Sequence, residues 1–408
     1  MSPHPPRTEV PPTAGLPPRW RDLLTAGHEL AAPMADFLGL PGVQPTCSGT
    51  ASLVIALRAL HRLSGRRAVV VPAYTCPLVA RAVAHCGLQL RLCDLAPDSI
   101  DFDPAGLQRL CDRDTLAVIP THLGGRVADV DAVLACAHAV GAFVIEDAAQ
   151  ALGARIGTAS VGLRGDAGFF SLAVGKGLTT WEGGLLVTPD AHLRAAFAAT
   201  ARELAPSRPG WELRRCAELI GYHALYRPAL LGLAYGRPLR RALRRGDPVA
   251  AVGDDFGADI PLHTLGRWRQ GVATRALRRL PAFLAACTEQ AQARKTRLAA
   301  IAGIALIDDA AGTQGTWPFF MLRLRDRARR DAALAQLWGA GLGVSRLFIH
   351  ALPDYGYLQP LLGEHVVPNA RALAATMLTV SNSPWLDEAR FARILAVLER
   401  VAAQPLRD

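Results

Sequence analysis

The sequence predicts an α/β fold: a mostly parallel, doubly wound sheet forming a large domain, followed by a smaller C-terminal α+β domain. Two observations carry this. Short β-rich runs alternate with helical runs of about 10 to 12 residues from position 46 to about 190, the pattern of a parallel sheet covered on both faces. From about residue 270 the order becomes helix, strand, helix, strand, helix, which suits a separate α+β unit.

The elements follow in order. SGTASLVIALRAL (48–60) has helical periodicity after a polar start, and RRAVVVP (66–72) is a β-rich run ended by proline. CPLVARAVAHCG (76–87) is helical and stops at glycine. LQLRLCDL (88–95) reads as a strand, PAGLQRLCD (104–112) as a helix and TLAVIPTH (115–122) as a strand. VDAVLACAHAVG (130–141) is a helix with a C-terminal glycine, and AFVIED (142–147) is a strand ending in acids. GDAGFFSLA and GGLLVT read as strands flanking a loop that holds Lys176. In the C-terminal part, ALRRLPAFLAACTEQAQARKTRLAAI reads as one long helix. GTWPFFMLRL and MLTV read as strands, and DRARRDAALAQLWGAG and LDEARFARILAVLERVA as helices. The expected divisions are a flexible proline-rich lead-in at 1–20, a large domain at 21–270 and a small domain at 271–408. The large domain includes an arginine-rich insertion at about 205–260.

Half of the 408 residues are hydrophobic, enough for a sizeable core, and the formal charge is +10. The excess of arginine is spread out, without a nucleic-acid motif or an aromatic-interleaved basic face, so nucleic acid is not an expected partner. The eight cysteines form no CxxC pair and no zinc-type spacing, so no metal is expected. They read as thiols in a reducing, cytoplasmic setting. The N-terminal stretch has no apolar core of the signal-peptide kind. The insertion mixes apolar residues with a basic tail, RPLRRALRR. It reads first as a helical cover over an active-site entrance or a dimer contact. The second reading is a weak peripheral contact of 215–245 with an anionic membrane.

Of 45 basic side chains only Lys176 and Lys295 are lysines. Lysine can lose its proton and act as a nucleophilic amine, which arginine cannot. Lys295 lies in a polar helical run and reads as a solvated charge. Lys176 sits between glycines among small and apolar residues, where desolvation lowers an amine's pKa. Asp147, Ser171 and Lys176 fall at or just after strand ends, where ligands bind in such sheets. TCSGTAS (46–52) leads into a helix whose N-terminal amides, with the Thr50 hydroxyl, suit an anion. An amine for a Schiff base, an acid for a pyridinium nitrogen and a phosphate cradle are what pyridoxal 5′-phosphate (PLP) requires.

The segments TCSGTASLVIALRAL, VVVPAYTCPLVARAVAHCG, PTHLGGRVADVDAV, VIEDAAQALGA and GDAGFFSLAVGKGLTTWEGGLLVT resemble, in order and spacing, the DegT/StrS-type sugar aminotransferases, which are fold-type-I PLP enzymes. The resemblance is close over about 45–200 and looser over 270–408. It implies that Lys176 is the Schiff-base lysine and proton shuttle, and that Asp147 pairs with the pyridinium nitrogen. Gln150 would lie by the ring's phenolic oxygen, and Tyr74 would stack on the ring. Gly49, Thr50, Ala51 and Ser171 would hold the phosphate. His122 matches a common family residue and is equally a structural histidine. The family's short asparagine–arginine motif, which reaches a neighbouring subunit, corresponds to GRWRQG: Arg269 matches the arginine, while Arg267 stands in place of asparagine.

The function implied is transfer of an amino group from an amino acid, by analogy glutamate, to a keto sugar, nucleotide-linked in the first reading. The cofactor would cycle through pyridoxamine phosphate in a homodimer, in aminosugar, surface-polysaccharide or secondary-metabolite biosynthesis. A non-sugar or cyclitol ketone, or a degenerate non-catalytic binding protein, is the alternative. Dehydratases of this fold carry histidine at the lysine position, and Lys176 argues against them.

Overall fold

A computed structural model describes residue 6 and residues 8–404. The large domain is built on a seven-stranded sheet of β1 (Val43–Thr46), β2 (Ala68–Pro72), β3 (Gln89–Cys93), β4 (Thr115–Val118), β5 (Phe143–Asp147), β6 (Ala167–Ser171) and β7 (Gly184–Val187). Their spatial order is β1-β7-β6-β5-β4-β2-β3. Every neighbouring pair from β3 to β6 is parallel, and only β7 runs against its neighbours. The central strands β2, β4, β6 and β7 are buried along their whole length. That is why they read as continuous apolar runs rather than alternating ones.

Helices α1 (Ala31–Leu38), α2 (Gly49–Ser64), α3 (Pro77–His85), α4 (Pro104–Leu110), α5 (Val130–Ala139) and α6 (Ala191–Leu204) cover the sheet. Their starts are chemically marked: Ser48, Asp103, Asp129 and Asp190 each accept a backbone N–H from the first turn of the helix that follows.

The insertion is helical. It comprises α7 (Pro209–Leu225), α8 (Pro228–Leu231), a π-turn (Gly232–Gly236), α9 (Arg237–Arg244) and α10 (Pro248–Val252). No described helix is long and apolar enough to cross a membrane. The single long helix expected beyond 270 is two helices, α11 (Arg267–Leu277) and α12 (Leu280–Ala299). Pro281 lies in the first turn of α12, where its missing N–H costs nothing and its ring prevents continuation from α11.

The smaller sheet contains β8 (Ile304–Leu306), β9 (Phe319–Leu324), β10 (Val344–Ser345) and β11 (Met377–Ser381). It is antiparallel, in the order β8-β9-β11-β10. Helices α13 (Arg327–Leu337), α14 (Gln359–Leu362), α15 (Pro368–Thr376) and α16 (Glu388–Ala402) complete this unit. Lys295 is not simply solvated: it pairs with Asp308, and its ammonium lies 4.7 Å from the Trp317 ring centre.

The N-terminal segment corrects an expectation. Residues 9–17, anticipated as loosely ordered, are tied down at several points. Val10 forms a bridge with Leu342. Glu9 is buried and pairs with Arg240 at 2.9 Å. Ala14 N–H donates to Pro318 O and Leu16 N–H to Gly177 O, each at 2.8 Å. Prolines lack only their own N–H; the intervening residues still find backbone partners.

Candidate active site

A cavity of about 770 Å³ opens at the carboxyl edge of the large sheet, between the two domains. Lys176 lies in the loop between β6 and β7. Three bonds shape that loop: Leu172 N–H to Gly183 O (2.8 Å), Thr180 N–H to Leu172 O (2.9 Å) and Thr179 Oγ1 to Leu172 O (3.0 Å). Gly175 has φ +80°, and a Cβ there would come within 2.7 Å of Thr13 Oγ1, so the N-terminal segment packs directly on this turn.

Lys176 lines the cavity and makes no side-chain hydrogen bond among the described residues. Burial pushes its pKa below the usual lysine value, partly offset by Cys76 and Asp147. Asp147 closes β5 and is 4% exposed; one carboxylate oxygen accepts the Ala149 N–H at 3.0 Å. Burial raises its pKa, with the Ala149 bond, Lys176 and His122 opposing. Gln150 also lines the cavity and accepts the Gly124 N–H at 2.7 Å.

The N-terminus of α2 meets the end of β6 here. Gly49 and Thr50 are its first two residues, so their N–H groups have no intrahelical acceptor. Both line the cavity with Ser171. The approach is close: a Cβ on Gly184 would sit 2.4 Å from the Ser48 carbonyl. Ala51 does not join this cradle, because its N–H is already bonded to Ser48 Oγ at 3.0 Å.

Four other expected site residues lie elsewhere. Tyr74 is 2% exposed and is not a cavity residue. Its hydroxyl donates to Phe348 O (3.1 Å) and accepts the Phe348 N–H (3.2 Å), drawing the ring into the seam with the small domain. His122 is fully buried. Nδ1 accepts the Ala128 N–H (3.1 Å), so Nε2 donates to Glu146 at 2.8 Å, and the residue is structural. Arg269 is also fully buried and forks onto Glu212, through Nε–Oε1 (2.7 Å) and Nη2–Oε2 (2.5 Å). Its remaining donor reaches the Glu182 and Thr180 carbonyls at 2.5 and 3.3 Å. Nε, Nη1 and Nη2 are thus all engaged inside the chain. Arg267 is exposed and lies outside the cavity.

Among the cavity residues that the sequence reading did not single out, two are polar or ionisable groups near the reacting centre or the small domain, Cys76 and Arg346. Cys76, two positions beyond Tyr74, faces the cavity where an aromatic ring was anticipated. Burial pushes its thiol up to about 12, so it stays protonated. Arg346 follows β10 and donates Nη2 to Ile349 O (2.6 Å) and Ala374 O (2.7 Å), while its buried Nε has no partner. Burial lowers its pKa to about 10, leaving it charged at neutral pH. The proline after Cys76 marks a helix start and is the one sequence signal for that residue; Arg346 has none.

Part of the sequence and the fold have known counterparts. The model of the DegT/DnrJ/EryC1/StrS aminotransferase family matches residues 21–208. An L-glutamine:2-deoxy-scyllo-inosose aminotransferase of Micromonospora echinospora is 38% identical over 200 residues, 48% of this chain and 47% of that protein. A UDP-N-acetyl-3-dehydro-alpha-D-glucosamine 3-aminotransferase of Acidithiobacillus ferrooxidans is 38% identical over 168 residues, 41% and 45% of the two chains. The chain spans about half the length of the curated relatives it matches. The fold likeness runs further. A putative sugar aminotransferase from Streptococcus pneumoniae, in its PLP form, superposes with a TM-score of 0.75 over 97% of this chain and 98% of that one, at 16% identity. The likeness in fold thus covers both sheets, and the segment that the family model matches carries Gly49, Asp147, Gln150, Ser171 and Lys176.

Proposed function

We propose that the protein is a PLP-dependent aminotransferase that moves an amino group from an amino acid to a ketone. The observation that carries this is one cavity shared by Lys176, Asp147 and the uncommitted amides of α2. An unpartnered amine, a buried acid and a helix N-terminus match the aldehyde, ring nitrogen and phosphate of PLP in chemical type.

When bound, PLP supplies an electron sink that acidifies the α-carbon of an amino-acid donor. Gly49, Thr50 and Ser171 would hold the phosphate, and Asp147 would keep the ring nitrogen protonated. Lys176 would anchor the aldehyde carbon through Nζ. Nζ would be the base that takes the proton from the donor's α-carbon, and in the reverse half-reaction the acid that returns one to the former ketone carbon. The depressed pKa keeps a larger fraction of Nζ neutral and able to accept that proton. Gln150, its side chain pinned to Gly124, would orient the ring's phenolic edge. The second half-reaction reverses these steps on the ketone, giving ping-pong kinetics.

The donor is glutamate or its amide, the latter appearing in several relatives' names. The acceptor is a ring ketone, since relatives' names include both free cyclitol ketones and nucleotide-linked keto sugars. A homodimer is part of the proposal and is checked by light scattering. Eight free cysteines support a reducing, cytoplasmic setting. The absorption spectrum of pure protein with PLP, followed by titration with glutamate and glutamine, tests the central reading. A visible band that neither donor bleaches would reject it.

A further inference from the structure

Three non-glycine residues among the described ones hold a positive φ: Asp98 (60°), Trp181 (71°) and Trp317 (49°). Aspartate tolerates this left-handed backbone, whereas a bulky side chain adopts it only when its surroundings force it. Trp317 is fully buried and its indole N–H donates to Asp309 at 2.9 Å, so core packing accounts for it. Trp181 differs. It is half-buried and lines the cavity, five positions after Lys176 on the same loop. Its backbone is over-determined. The Trp181 N–H donates to Thr179 Oγ1 (2.9 Å), and Thr180 Oγ1 donates to Glu182 O (3.0 Å). Arg269 Nη1 grips the carbonyls on both sides, Thr180 O at 3.3 Å and Glu182 O at 2.5 Å.

The indole packs against Tyr222 of α7, with ring centres 6.1 Å apart and planes tilted by 56°. Tyr222 in turn lies 4.6 Å from Tyr226, and both tyrosines line the cavity. A residue needed only to fill the gap between loop and insertion would do so at negative φ and be buried, as Leu219 and Tyr222 are. Strain held by several bonds at the edge of a reaction chamber marks a side chain presented to a ligand. The chemistry of the wall indicates which ligand. An aromatic face carries negative charge density and favours weakly positive C–H groups as well as apolar contact. A saturated ring with equatorial hydroxyls turns its C–H groups to its faces and its hydroxyls to its rim. We propose that Trp181, backed by Tyr222, is the platform on which the acceptor's saturated ring stacks, which makes it a specificity-determining residue. This rests on the aminotransferase reading and deepens it. It applies equally to a free cyclitol ketone and to the sugar of a nucleotide-linked one.

The test compares PLP-loaded wild type with Trp181→Gly, Trp181→Ala and Trp181→Phe. Stopped-flow absorbance reads the two half-reactions separately. Glutamate or glutamine bleaches the visible band, and a ketone restores it, either 2-deoxy-scyllo-inosose or UDP-N-acetyl-3-dehydro-α-D-glucosamine. At low ketone concentration, loss of the indole in the glycine and alanine variants is expected to slow the return at least about tenfold more than the bleaching, with whichever ketone the wild type prefers. Trp181→Phe keeps an aromatic face and is expected to stay within about threefold of wild type. Trp181→Gly is expected to melt above Trp181→Ala, the reverse of the usual order, because glycine alone relieves the positive φ. A merely structural residue would slow both half-reactions together. Equal slowing of both steps, an unaffected return, a phenylalanine variant as slow as the alanine one, or a glycine variant melting below it would each overturn the proposal. So would bleaching of the wild type that neither ketone reverses; these outcomes leave the aminotransferase reading standing. If neither donor bleaches the band, that reading itself fails and the acceptor assignment falls with it.

Discussion

Glu212 and Arg269 meet in a two-pronged ion pair that joins the first turn of α7 to the loop carrying Lys176. The guanidinium is wholly buried, and its third contact fixes the Glu182 carbonyl at 2.5 Å. The insertion and the reactive loop are therefore mechanically one piece. Removing one partner strands the other, which costs about 3–5 kcal/mol for a buried pair. Glu212→Gln is expected to lower the urea midpoint and weaken PLP retention together. A variant that loses neither would show that the pair is decorative.

Lys176→Ala tests the amine itself. The side chain makes no hydrogen bond among the described residues, so the variant should melt close to wild type. It should also lose borohydride-trappable PLP and about 10³-fold or more in turnover. Mass spectrometry after reduction reads the first, and a coupled assay the second.

The buried Glu146 makes an acid-sensitive lock. Burial raises its pKa, but bonds from His122 Nε2 (2.8 Å), Gly165 N–H (2.7 Å) and Gly162 N–H (2.8 Å) outweigh it, and the net value lies below the ordinary one. A folded pKa below the unfolded one gives stability that is fully present above the unfolded value. It is lost as pH falls through the folded value. Wild-type stability should therefore drop on acidification below about pH 4.5, and Glu146→Gln should flatten that limb while lowering stability at pH 7. Melting curves from pH 7 to 3.5 measure both.

Deleting residues 1–14 removes Glu9 from Arg240 and Val10 from its bridge with Leu342. The buried arginine is left without its partner, a loss of about 3–5 kcal/mol. The truncated protein should melt well below the full chain and be cleaved faster near 175 and 235 in limited proteolysis. An unchanged melt would mean that the segment only rests on the surface.

Much of the large domain was legible because its buried parallel strands announce themselves as β-branched runs ending at proline, glycine or an acid. Lys176, Asp147 and Ser171 were legible for the same reason: strand ends mark the cavity edge; Gln150 came from the family resemblance alone. Tyr74 and Cys76 were not separable. Which of them faces the cavity is decided by Phe348, which captures the tyrosine hydroxyl from 274 positions away. Arg269 looked available because its partner, Glu212, lies 57 residues earlier in an insertion with no periodic cue to its packing. The proline-rich lead-in looked loose because composition says nothing of the grooves that Pro318, Gly341 and Gly177 present to it.

The bridge from Val10 to Leu342 has a temporal side. A ribosome must add more than 300 further residues before Val10 has anything to pair with, a very long loop to close. The segment around Val10 is thus made well before the strand edge it docks on.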